Sequence, residues 1–539
     1  MNARHQLLSA RYAAMLPETT CEACARERMV QMDDFVLHSW NVRRHRTDES
    51  STNPFLAGWA KAAGEFPGDQ VIAADRQSLV TPDPFQVMCL EGCRHSQGDG
   101  EVTSPEAPAG TYRRPLESFF DSGPSLADLV NPVAGPLAPS VDVDLTSAVT
   151  AKASGYFVCH TPAGDYVRPW GGHEISNRTA TLVGLLEGVE RLGAAAPASR
   201  DVVGSPPRGI RRIDLRSFGV DPSGWSTPDP EVLSWTQAHS LTHRETVYIP
   251  TRIAFYAADL PDAPFVQESS NGCAIGGSDA EAQLFGLLEA VERDAFLIAW
   301  YGGIGLTEID PRSIQDGTTR MLLQRMRLSG QDVRFFDATV GLPIPTVIAV
   351  SESPDGATCV GAGSHLDPAR ALRSALVEVA SDFQVIRSHL ERRRPDLERM
   401  IDDFSLVRKM EDHADMFSHH KARPFLSQWL DQPNAEYVPL DSLRRHAHGG
   451  HSVSTDLALA LSYVYEAGLE AVTVPTPTNL SRRLGTACWR VIIPGLIPID
   501  FGWAHQRALH MRRLSESVTR DRPESQPDFR PYLVPHPFP

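Results

Sequence analysis

Two stretches of this chain carry the same apolar frame: Ala180-Thr-Leu-Val-Gly-Leu-Leu and Ala282-Gln-Leu-Phe-Gly-Leu-Leu. Apolar residues at that spacing predict amphipathic helices packed along one face. The second is expected to run from Asp279 to Trp300, with Asp279 placed to cap it. A third helix is expected from Ala369 to His389, carrying Arg373, Glu378 and Asp382. Between the helices lie strand-like segments: an alternating run from Leu145 to His160, then Thr246-Val-Tyr-Ile-Pro250, then Pro343-Ile-Pro-Thr-Val-Ile-Ala-Val350. Strands alternating with amphipathic helices give a mixed α/β chain of the α+β class.

The two frames carry charge as well. Gly-Leu-Leu-Glu-Gly-Val-Glu-Arg, from Gly184 to Arg191, recurs from Gly286 to Arg293 with only Gly188 replaced by Ala290. Residues three apart share a helix face, so Glu187 pairs with Glu190 and Glu289 with Glu292. One such string alone would read as a solvated surface helix. Recurring in an apolar frame, the acids belong to largely buried helices, where unpaired carboxylates are costly. Four carboxylates with Arg191 and Arg293 suit magnesium and polyphosphate. The loop Ser270-Asn-Gly-Cys-Ala-Ile-Gly-Gly-Ser278 enters the second helix, and its glycines let the backbone approach a ligand. There is no P-loop string, no Gly-x-Gly-x-x-Gly fingerprint and no Gly-x-Ser-x-Gly frame.

Length and charge narrow the picture further. The 539 residues suffice for several domains, and a net charge of -16 disfavours broad nucleic-acid binding, leaving only local basic patches such as Arg43 to Arg46. Lysine occurs only at Lys61, Lys152, Lys409 and Lys421. No signal peptide and no membrane span is legible, so a cytoplasmic protein without disulfides is expected. Cys21 and Cys24 form Cys-x-x-Cys, and Cys89 and Cys93 form Cys-x-x-x-Cys. These two knuckles suit a structural zinc tetrathiolate, with His95 as an alternative to Cys93. Gln97 to Gly110 has linker composition, which divides the chain into an N-terminal zinc-binding domain, 1–110, and a larger domain, 111–539. The nineteen histidines, including His419-His420 and the group from His446 to His451, are read as solvated.

As a spaced series the motifs resemble the YcaO superfamily. The series runs through Gly-Leu-Leu-Glu-Gly-Val-Glu-Arg191, Thr246-Val-Tyr-Ile-Pro250, and Ser270-Asn-Gly-Cys-Ala-Ile-Gly-Gly with Glu281-Ala and Glu289-Ala-Val-Glu-Arg293. It continues through Gly363-Ser-His-Leu-Asp-Pro, Ala371-Leu-Arg-Ser-Ala-Leu-Val-Glu378 and Val491-Ile-Ile-Pro-Gly495. The final Pro535-His-Pro-Phe-Pro539 is similar to the Pro-x-Pro-x-Pro ending of the azoline-forming branch. The resemblance implies a YcaO-type ATP-binding domain with an internal repeat, and an ATP-dependent cyclodehydratase that makes thiazolines or oxazolines from Cys, Ser and Thr of a ribosomal precursor peptide. It implies Mg2+ held by Glu187, Glu190, Glu281 and Glu292, and a nucleotide held with Ser270, Asn271, Glu289, Arg293 and Glu378. Pro539, Glu289 and Arg293 become the catalytic candidates. The N-terminal region resembles the zinc-bearing portion beside such domains. The partners implied are the precursor peptide and a leader-peptide-binding protein, with room for a flavin-dependent azoline dehydrogenase and a homodimer. Two positions depart from the family pattern: Ser381 stands where Gln is common, and Gly171-Gly-His-Glu174 replaces Gly-Lys-Gly. Thioamide or macrocyclic amidine formation and a non-catalytic peptide-binding scaffold are the alternatives.

Overall fold

The structure, a computed structural model, describes residues 4–8, 12–17, 19–39, 70–75, 82–90, 93, 112–121, 123–145, 147–161, 164–195, 202–220, 228–256, 260, 263–432, 437–444, 452–519 and 529–538. Arg43 to Arg46, His95, the 97–110 linker, His446 to His451 and Pro539 lie outside the described residues. No described helix is long and apolar enough to cross a membrane.

Two large sheets form the body. One runs in the order Cys273–Gly276, Ala487–Ile492, Val472–Pro475, Trp235–Ser240, Glu245–Pro250, Arg211–Arg212; the other runs Thr358–Ser364, Thr346–Glu352, Asp332–Asp337, Thr307–Ile309, Tyr437–Val438. A smaller antiparallel sheet, Asp142–Asp144, Ala151–Thr161 and Gly164–Glu174, lies beside them. At the N-terminus Arg4–Leu8, Tyr12–Pro17 and Ile72–Asp75 form a three-stranded antiparallel sheet with the helix Glu22–Ser39. Its core of Tyr12, Leu16, Met29 and Phe85 also packs on Val133 and Ala134.

The repeat legible twice in the sequence is built three times in space. Each unit is a strand followed by a helix: Gly164–Glu174 with Asn177–Ala195, Cys273–Gly276 with Asp279–Tyr301, and Thr358–Ser364 with Pro368–Asp402. In each, glycine lets helix and strand touch backbone to backbone. A Cβ on Gly172 would sit 1.9 Å from the Ala180 carbonyl oxygen, one on Gly286 2.5 Å from that of Gly272, and one on Gly363 2.2 Å from that of Ala371. The close approach sets the depth of the glutamates that follow.

Several local expectations change. Ser278, in extended conformation, caps the second helix by accepting from Glu281 N–H at 3.2 Å; Asp279 sits in the first turn and accepts from Trp489 Nε1 at 2.8 Å. The third helix runs past His389 and through Pro395 to Asp402, because Leu390, Leu397 and Met400 pack into the main core. That burial offsets the amide lost at proline. Of the run from Leu145 to His160, only the part from Ala151 onward is strand, and a separate short strand, Asp142–Asp144, precedes it. Cys24 is no loop residue; it lies buried in the helix Glu22–Ser39. His419 is buried rather than solvated, since its ring caps the Lys421 N–H at 3.3 Å and stacks on His420.

Candidate active site

The glutamates converge, and four of them are held by a backbone amide. Gly171 N–H donates to Glu187 Oε2 at 2.9 Å, Gly272 N–H to Glu289 Oε2 at 3.0 Å, and Ala362 N–H to Glu378 Oε2 at 2.7 Å. In these three the donor belongs to the segment just before the acid's own helix. The second acid of each string looks to the next unit instead: the Ile275 amide lowers the proton affinity of Glu190, and the Ser364 amide that of Glu292, each against the effect of burial. The pattern interlocks the three units around a common centre. Gly277 N–H holds Glu281 Oε2 at 2.9 Å.

Arginines on the same helices partly neutralise the acids. Arg191 pairs with Glu187 at 2.5 Å, and Arg293 reaches Glu292 at 3.1 Å and Glu289 at 3.6 Å. They do not suffice. Burial raises the proton affinity of Glu187, Glu281 and Glu292, and it raises that of Glu190 far more, with Glu187 and Glu289 adding like-charge repulsion. Burial carries Glu378 up to about 8, and it carries Asp382, one turn further, to about 6 despite Lys152. Such a set favours a bound cation. Anchored carboxylates with hard oxygen donors are the chemistry magnesium selects, and anchoring one oxygen of each orients the group before a cation arrives.

Glu187, Glu190 and Glu281 open onto a cavity of about 390 Å³. Asn271 and Ala290 line a smaller one of about 70 Å³. The Asn271 side-chain oxygen is buried there without a hydrogen-bond partner among the described residues, and so are Nε and Nη1 of Arg490. Ser270 forms the turn beside it, its carbonyl accepting from Cys273 N–H at 2.9 Å. Arg490 was not singled out from the sequence. Its only signal there is its place next to Val491-Ile-Ile-Pro-Gly495, and its role depends on a cross-strand register with Cys273.

The proline-rich segment is part of the core. Trp300 Nε1 donates to the Val534 carbonyl at 2.8 Å, and the His536 ring stacks on His413 with centroids 4.1 Å apart. His413 Nδ1 lies 3.0 Å from the His536 carbonyl, and His536 Nε2 lies 2.9 Å from that of Asp500. The fully buried ring of Phe538 packs edge-on against Phe296 and lies 4.0 Å beneath the Arg293 guanidinium. Arg293 thus touches acids on one side and the segment on the other. Pro539 falls just beyond the described residues.

Far along the sequence from these acids, Cys21, Cys24, Cys89 and Cys93 come together with their sulfurs all within 4.8 Å of one another. Cys21 Sγ and Cys93 Sγ are 3.7 Å apart, close to the ~3.8 Å that tetrahedral geometry sets for sulfurs on one zinc. Cys24 Sγ accepts from Leu90 N–H at 3.4 Å. Burial, with the other thiols adding to it, pushes Cys24 up to about 12 and Cys89 to about 11. The four thiols fit a structural zinc ion.

Comparison with known proteins follows the geometry. A sequence family described as YcaO cyclodehydratase, ATP- and Mg2+-binding, matches residues 171–497. An uncharacterized protein of Methanothermobacter thermautotrophicus is 26% identical over 333 residues, 61% of this chain and 81% of the relative. A solved heterocyclase in complex with substrate and cofactor shares the fold at a TM-score of 0.73 and 19% identity, over 98% of this chain and 76% of that one. The heterocyclase TruD follows at a TM-score of 0.58 and 18% identity, over 94% of this chain and 72% of TruD. The family match extends over more than half of the sequence, and the chain belongs to the YcaO cyclodehydratase family.

Proposed function

We propose that this chain is an ATP-dependent peptide cyclodehydratase that converts Cys, Ser or Thr of a ribosomal precursor peptide into thiazolines or oxazolines. The observation that carries the reading is the seating of Pro535 to Phe538 against Arg293, the residue that also neutralises Glu289 and Glu292. A rigid, buried segment delivered to an acid cluster has a use in positioning a reacting group, and none in a passive scaffold. Magnesium is assigned to Glu187, Glu190, Glu281 and Glu292, and the nucleotide to Ser270, Asn271, Glu289, Arg293 and Glu378, with Arg490 added. Bound Mg2+-ATP supplies a phosphoryl group that turns an amide oxygen into a leaving group. The protein's own part is to hold the acids apart in fixed directions, to keep Arg293 beside the charge that develops, and to exclude water with the core around Phe538. Pro539 follows Phe538 and is assigned to orient or deprotonate the attacking side chain.

Zinc in the four thiols is assigned a structural role, and the enzyme is placed in the cytoplasm. Leader recognition is assigned to a partner protein, and a flavin dehydrogenase is the class of enzyme that would consume the product. The test is mass loss of one water per ring on a precursor peptide, with its partner present, for wild type and for a variant lacking His536 to Pro539. Full cyclisation by the shortened enzyme removes the role given to Pro535 to Pro539 and reopens the choice among azoline, thioamide and amidine chemistry, and ATP consumption by wild type without any water loss overturns the azoline reading. No ATP consumption by wild type with any peptide favours the scaffold.

A further inference from the structure

One imidazole ties the C-terminal segment to the rest of the core. His413 belongs to the short helix Met410–Phe417 and is fully buried. Gly502 N–H donates to its Nε2 at 2.8 Å, and its Nδ1 lies 3.0 Å from the His536 carbonyl oxygen. An amide can only donate and a carbonyl can only accept, so Nδ1 carries the ring proton and gives it to the tail. His536 has the opposite arrangement, with Nε2 donating to the Asp500 carbonyl at 2.9 Å. Burial lowers the proton affinity of both rings, that of His413 to about 4, so two neutral rings of opposite tautomer stack on one another. The loop that receives them is itself fixed. Arg507 takes the Asp500 carboxylate, and Gln506 Nε2 donates to the Asp500 carbonyl at 2.7 Å and to that of Gly502 at 3.1 Å. Gly502 has a φ of 85°, and a Cβ there would meet the Arg408 carbonyl oxygen at 2.8 Å, which reserves the position for glycine. Asp412 and Asp415, the acids of the same helix that flank His413, pair with Arg393.

We propose that His413 is a positioning residue for the C-terminal segment: its Nδ1–H bond to the His536 carbonyl sets how far Phe538 and Pro539 advance toward Arg293 and the acids. The inference rests on the azoline reading above, in which the end of the chain acts on the attacking side chain. Pro537 and Pro539 lock φ on either side of Phe538, so a displacement at His536 is passed to the end of the chain instead of being absorbed on the way. A histidine that only held the core together would matter equally with and without the tail. One that works through the tail matters only while the tail is there.

A double-mutant cycle on the full chain separates the two. Cyclisation is read as water loss from a precursor peptide with its partner present, alongside Mg2+-ATP affinity and melting temperature. His413→Leu should lower kcat by about a hundredfold, the scale of a reacting group misplaced by about 1 Å, while peptide KM and Mg2+-ATP affinity change by about twofold at most. Adding it to an enzyme that already lacks His536 to Pro539 should cost nothing further in kcat, because its partner is gone. His413→Asn keeps a donor near the Nδ1 position and should lose less than His413→Gln, which keeps a polar group near Nε2 and so serves Gly502 instead of the tail. Should these variants melt too low to assay, nitrogen-15 spectra of the wild-type imidazoles decide: an Nδ1–H tautomer is expected at His413, and Nε2–H there overturns the proposal. Losses that add in the double variant, or equal losses for Asn and Gln, overturn it as well and leave His413 a residue of the fold alone. Wild type that cyclises no peptide overturns the azoline reading itself, before any variant is measured.

Discussion

The carboxylate centre and the thiol centre of this molecule solve one problem differently. Both gather like-charged ligand groups under burial, and burial raises proton affinity in both. The carboxylates have resident substitutes for a cation in Arg191 and Arg293, and four of the six glutamates accept from a backbone amide. The thiols have one backbone amide among the described residues, from Leu90 to Cys24. The contrast teaches which site the fold can do without. An acid cluster with its own arginines can stand empty and exchange ligand, as turnover requires; a thiol cluster held by a single amide is expected to depend on a metal to stay folded.

The strongest way to break this contrast is to disable the exchanging site. Glu281→Gln and Glu292→Gln should each lower peptide-dependent phosphate release by about 10³-fold while the apo protein stays folded, since like charge is removed from a crowded centre. Wild-type turnover in either variant sinks the magnesium assignment. Removing His536 to Pro539 should cost about a hundredfold in cyclisation, the scale of one lost proton-transfer group, while Mg2+-ATP still binds. Peptide mass loss and nucleotide titration on one preparation read both effects.

The thiol side predicts the opposite pattern, a loss of fold without loss of chemistry at the acids. Purified protein should carry about one equivalent of zinc. Cys24→Ser should lose it and let the N-terminal sheet and helix unfold first, as limited proteolysis with metal analysis would show. A zinc-free wild type of unchanged stability returns the cysteines to free thiols.

The pH dependence sharpens the contrast with a smaller effect. Burial raises the folded-state pKa of Glu378 to about 8 from 4.5, so its stabilising contribution is complete below about 4.5 and is lost as pH rises toward 8. His413 moves the other way, lowered by burial from 6.5 to about 4, so its contribution is complete above 6.5 and is lost as pH falls toward 4. The two offset each other between about 4.5 and 6.5, so metal-free protein should melt highest at mildly acidic pH, and Mg2+-ATP should flatten the alkaline side only. A melting profile whose alkaline limb ignores Mg2+-ATP would detach Glu378 from the nucleotide. Smallest of all, Phe538→Leu should cost about 2 kcal/mol of stability, from the lost cation–π contact and edge packing, and should slow cyclisation more than it weakens ATP. Equal losses in both would mean that the ring only fills space.

Much of the acid centre was legible along the chain because a helix turns three-residue spacing into a shared face. Glu187 with Glu190 and Glu289 with Glu292 needed only that periodicity and the apolar frame around them. Glu378 was different. Its string, Ala371-Leu-Arg-Ser-Ala-Leu-Val-Glu378, lacks the repeated pattern, and only the strand-and-helix geometry with its Ala362 amide shows it to be the third member of the set. His419 was misread because a polar local sequence says nothing of which turns fold over it.

By itself the sequence determined the mixed α/β class, the two acidic helices, the knuckle cysteines and the family, since each follows from periodicity, spacing or local composition. Tertiary structure alone decided that the repeat is threefold, that Arg490 and Arg113 line the cavities beside the acids, and that Phe538 lies beneath Arg293. The physical reason is that a charge buried at one place is neutralised by whatever the fold brings there, and those partners are hundreds of residues apart along the chain. Local pattern reports which residues face inward, while the fold decides what they face.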